Sequence, residues 1–93
     1  MSEQKLASKT IIYSLKVETT PIKLCTSNPT RKLLLLQVLN NGTCNVTSGQ
    51  NKAYSEGIKV TKAANYENIT TTAELWVTSQ SGNVDCIVQE DTD

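Results

Sequence analysis

Apolar and polar residues alternate with a period of two along much of the chain. Ile11, Tyr13, Leu15 and Val17 interleave with Ile12, Ser14, Lys16 and Glu18, the signature of a half-buried strand, and Thr19-Thr20-Pro21 ends it. A second short strand follows, with Ile22 and Leu24 on one face and Lys23 and Cys25 on the other. Further strands are predicted at Thr43 to Thr47, with Cys44 and Val46 on one face, and at Gly57 to Val60, with Ile58 and Val60 facing inward. The β-branched run from Ile69 leads into Glu74-Leu75-Trp76-Val77-Thr78, where Leu75 and Val77 share a face opposite Trp76. Val84, Cys86 and Val88 mark the inner face of the last strand. Lys62 to Tyr66 reads as a helical turn or a connecting loop. The expected fold is all-β, a small antiparallel sandwich or barrel of about seven to eight short strands.

Leu33 to Leu39 breaks the alternation, being apolar on both faces except at Gln37. The block is about two helical turns long and runs straight into Asn40-Asn41-Gly42, a pair suited to a type I′ turn. A buried strand with Thr43 to Thr47 as its hairpin partner is the preferred reading, and a short buried helix is the alternative, since leucine favours helices. Upstream, Pro29 sets its own φ and pushes Asn28 toward extended backbone, so a new element starts after this corner. Asn28, Pro29 and Arg31 form a candidate structural corner. Arg31 is either a solvated charge at a strand entrance or an anchor that bonds nearby carbonyls or a partner's carboxylate.

Composition narrows the function classes. Lys+Arg and Asp+Glu balance at 9 each, which supplies no net field for nucleic acid or an anionic membrane. With one Trp, three Tyr and no Phe, there is little material for stacking bases. The chain contains no histidine, which removes the commonest general base and the centre of a Ser or Cys triad. The carboxylates Glu56, Glu67, Glu74 and Asp85 are scattered, and Glu90, Asp91 and Asp93 crowd a stretch expected to fray. No enzymatic role and no cofactor are expected. Cys25, Cys44 and Cys86 are far apart and read as buried reduced thiols rather than a disulfide frame or a metal site. Three Asn-x-Thr triplets, at Asn41, Asn45 and Asn68, are discounted because no signal peptide is visible. The expected layout is an arm over residues 1–9, one domain over 10–90 and an acidic tail over 91–93.

The Ser27-Asn28-Pro29-Thr30-Arg31 corner, the aliphatic strand with Gln37, the Asn41-Gly42 turn, Gly57-Ile58, Glu74-Leu75-Trp76-Val77 and Gly82-Asn83-Val84 follow one another over roughly residues 17 to 90. In that order they resemble small β-sandwich accessory proteins of bacteriophage virions, of the capsid decoration (cement) or head-fibre type. The chain departs from that pattern at Thr61 to Asn68, where such domains more often carry a Pro-Gly turn. The resemblance implies a non-enzymatic protein made in the host cytoplasm and carried on the virion surface. It would bind the major capsid protein, often as a homotrimer, and stabilise the shell. The alternative is a head- or tail-fibre module that recognises a host-surface glycan or protein. Lys5, Leu6 and Trp76 are candidate interface residues, the first two on an arm that would add to the capsid as a strand.

Overall fold

The computed structural model describes residues 8–49 and 57–93. Among these, eight strands form two antiparallel four-stranded sheets. They are β1 (Lys9–Val17), β2 (Ile22–Cys25), β3 (Arg31–Val38), β4 (Thr43–Thr47), β5 (Ile58–Thr61), β6 (Tyr66–Asn68), β7 (Leu75–Ser79) and β8 (Val84–Thr92). The first sheet has the order β1-β8-β3-β6 and the second β2-β7-β4-β5. The small antiparallel sandwich expected from the alternation is thus the observed architecture.

The core is built by the inward halves of the alternating patterns. In the first sheet, Tyr13, Val88, Leu36 and Tyr66 form one cross-strand row, and Leu15, Cys86 and Val38 form the next. Val17 and Val84 close this side. They pack against Leu24, Cys44, Val46, Val60 and Val77 of the second sheet. Tyr13, on the edge strand β1, is partly buried, and its hydroxyl reaches across the gap to donate to the Leu24 carbonyl at 3.0 Å. Burial raises the phenol pKa, and the Glu90 carboxylate adds to the rise.

Several expectations are corrected here. Strands β3 and β4 are not a hairpin, because they lie in different sheets. The Asn41-Gly42 step does not form a type I′ turn, which needs positive φ at both central residues; Gly82 alone among the described residues has it. Instead the segment arches from one sheet to the other, with Gly42 so close to Val84 that a Cβ there would collide with the valine side chain. The Leu block finds its neighbours in β8 and β6. Lys62 to Asn65 is the expected connection, but Tyr66, placed at its end, instead opens the short strand β6. Ile58 sits at the start of β5 and is 59% exposed, so Val60 alone of that pair enters the core. The boundaries also shift. Lys9 pairs with Thr92, Asp91 and Thr92 lie within β8, and Asp93 donates its amide to Thr30 O at 3.2 Å, so this end is tied down rather than frayed.

Candidate functional site

The Asn28-Pro29-Arg31 corner closes one end of the sandwich. Asn28 Oδ1 accepts from the Thr30 amide at 3.0 Å and from Thr30 Oγ1 at 2.8 Å, and the Asn28 amide donates to Thr72 O at 2.8 Å. A register shift between Arg31 and Leu33 lets Arg31 turn inward. Its side chain is fully buried. Nε donates to Glu90 Oε2 at 2.8 Å, Nη1 to the carbonyls of Thr71 at 3.2 Å and Ala73 at 3.1 Å, and Nη2 to the Thr26 carbonyl. One guanidinium therefore ties together β8, the end of β2 and the β6–β7 connection. Four acceptors offset the cost of removing the charge from water. Of the two readings of Arg31, the structure has the anchor, with the carboxylate coming from this same chain. This is a structural clasp made from the chain's own groups.

Trp76 lies on the outer face of the second sheet, half-buried and outside the core. Its Nε1 donates to Glu74 Oε2 at 2.8 Å, and Lys23 Nζ sits 5.7 Å from the ring centroid and 3.2 Å from Glu74 Oε1. The bond from Trp76, with Lys23 assisting, holds the Glu74 carboxyl below its ordinary range. The indole is thus engaged by its own neighbours at both its polar edge and one face. Lys5 and Leu6 lie outside the described residues.

A surface that was not singled out from the sequence is the outer face of the first sheet. Cross-strand register aligns Ile12, Gln89, Leu35 and Glu67 in one row, Ser14, Ile87 and Gln37 in the next, and Thr10, Asp91 and Leu33 on the far side. Ile12 is 62% exposed, and Leu33, Leu35 and Ile87 are partly so. Charge is confined to the perimeter, at Lys16, Asp85, Asp91 and Glu67. Beside Lys16 and Asp85, a depression of about 500 Å³ opens between Ser14, Leu15, Lys16, Leu39, Asp85 and Cys86. The signal was present in the Leu block: a strand apolar on both faces must offer one of them to something other than its own core.

No family model, curated protein or solved structure matches the chain. Among the described residues, no group of three or more Cys, Asp or Glu side chains is placed to hold a metal ion. Among the described residues, no helix is long and apolar enough to cross a membrane. Of the Asn-x-Thr triplets, Asn45 is buried within β4, with Nδ2 donating to Gly57 O at 3.1 Å, which removes it as a glycan acceptor in the folded chain. Asn68 uses Oδ1 to accept the amides of Thr70 at 2.9 Å and Thr71 at 3.0 Å, which shapes the turn after β6.

Proposed function

We propose that this domain is a non-enzymatic structural protein that docks on an assembled protein shell through the outer face of the first sheet, as a decoration protein docks on a phage capsid. The observation that carries the reading is the layout of that face: an apolar and amide-rich centre of Ile12, Leu35, Ile87, Gln37 and Gln89, with the charges at Lys16, Asp85, Asp91 and Glu67 around it. Protein interfaces have this arrangement, with a dehydrated centre and a polar border. Its uncharged centre matches a partner surface that is itself neutral and apolar. The shell and its major capsid protein enter through the resemblance of the sequence to virion accessory domains. A trimer would engage several shell subunits at once, and such linkage raises avidity by about 10²- to 10⁴-fold.

The host-recognition alternative needs an accessible aromatic platform, and Trp76 is engaged by Lys23 and Glu74. Co-sedimentation with expanded capsid shells stripped of accessory proteins tests the proposal, with unexpanded shells as the control. Saturable binding to the expanded form, at a fixed ratio to shell subunits and weakened by Ile12→Asp, is the expected result. Absence of binding to either form overturns it.

A further inference from the structure

Each four-stranded sheet has two edges, and among the described residues three of the four edges are ill suited to further pairing. Strand β6 is three residues long. Strand β2 is four residues long, and its register shifts between Lys23 and Cys25. Strand β5 is also four residues long, and Thr61 at its end exchanges backbone bonds with Ala64 at 3.3 and 3.1 Å. Strand β1 is different: it is nine residues long, pairs with β8 from Lys9 to Val17 without irregularity, and pairs with no other strand among the described residues.

The groups that this edge offers follow from the alternation of backbone hydrogen bonds along an antiparallel strand. In β8, Asp85 O accepts from Leu39 N at 2.8 Å and Asp93 N donates to Thr30 O at 3.2 Å, so the odd-numbered residues of β8 serve β3 and the even-numbered ones serve β1. Across the register those even-numbered residues meet Lys9, Ile11, Tyr13, Leu15 and Val17. The N–H and C=O groups of Thr10, Ile12, Ser14 and Lys16 therefore point out of the sheet, and all four residues are exposed. Between them Ile11 is 52% exposed, although it shares the inward face of β1 with Tyr13 and Leu15.

We propose that this edge pairs with the same edge of a second copy, antiparallel and two-fold symmetric about Tyr13, so that the first sheets of the two copies become one. Tyr13 is the midpoint of β1, and only this register pairs the strand along its whole length. Thr10 then faces the partner's Lys16 and Ile12 faces the partner's Ser14, each pair exchanging two backbone bonds, which uses every outward group. On the other face Ile11 covers the partner's Leu15, and the two tyrosines meet at the axis. The charges are complementary as well. No lysine faces a lysine, and Lys16 joins the row of the partner's Thr10 and the partner's Asp91, with the threonine alone between ammonium and carboxylate. One strand pair with a narrow apolar seam is a small interface, so the dimer forms in a concentration-dependent way. This pairing does not depend on shell docking; it sets two copies of the outer face side by side, where a trimer would present three.

The test is light scattering on the full chain over a micromolar to millimolar series, with amide hydrogen exchange followed by NMR at both ends of it. The expected result is a monomer that becomes a dimer, with exchange slowed on dimerisation at Thr10, Ile12, Ser14 and Lys16, whereas Ile11, Tyr13 and Leu15 are protected at both ends. Ser14→Pro removes an N–H that β8 does not use and should leave a folded monomer throughout the series. Ser14→Val keeps that N–H and should preserve the dimer. A chain that stays monomeric or forms a trimer, a dimer in which those four amides still exchange fast, or a folded Ser14→Pro variant that dimerises would each overturn the proposal. Should Ser14→Pro fail to fold, the exchange pattern of the unaltered chain decides alone.

Discussion

Arg31 is the residue on which most separate parts of the chain depend. Replacing it with alanine leaves Glu90 and three carbonyls without their shared donor in a buried site. Arg31→Ala should therefore lower the unfolding free energy by about 3–5 kcal/mol, read as a lower urea midpoint at unchanged slope. Arg31→Lys should recover little of this, since a single ammonium lacks the planar fork that reaches all four acceptors. Trp76, the one tryptophan of the chain, provides an optical report on its neighbour. Because the Glu74 pKa is lowered in the folded state, its favourable contribution is complete above the unfolded value and is lost as pH falls through the lower folded value. Acid titration of Trp76 fluorescence should show a midpoint below that of an ordinary glutamate, and Glu74→Gln should remove the transition.

At the scale of elements, the two faces of β3 and its neighbours have opposite sensitivities. Leu36 is fully buried in the inner row with Tyr13, Val88 and Tyr66, so Leu36→Ala should cost about 2–5 kcal/mol. Ile12, on the outer face of an edge strand, should tolerate Asp within about 0.5 kcal/mol while weakening docking. Thermal melts and shell binding on the same pair of variants separate the two roles. Most strands were legible because period-two alternation is a local property, as in β1 and β8. Strand β6 escaped because it is three residues long and flanked by polar sequence; Tyr66 enters the core only because Leu36 lies beside it. Pairing was less legible than strand position. The Asn-Gly step signals a hairpin locally, yet its backbone remains at negative φ and the strands it joins separate into two sheets. The Arg31–Glu90 clasp joins residues 59 positions apart, and no local pattern proposes such a partner.

For the molecule as a whole, the connectivity is the governing fact. Among the described residues, six of the seven connections between successive strands pass from one sheet to the other, and β4 to β5 alone stays within a sheet. Nearly all strand pairing is therefore distant in sequence, and loop-closure entropy must be overcome before those contacts form. Refolding from urea should take milliseconds to seconds, measurable by stopped-flow Trp76 fluorescence, with microsecond folding as the contrary result. The central position of β8 in the first sheet also bears on biosynthesis. Strands β1 and β3 both take β8 as a neighbour, yet it follows them in chain order and leaves the ribosome later. At typical elongation rates the nascent chain carries β1 and β3 without that shared neighbour for several seconds, open to chaperones and to other nascent chains. Synonymous codons that slow translation between β3 and β8 would lengthen this interval, reducing soluble yield without altering the finished protein.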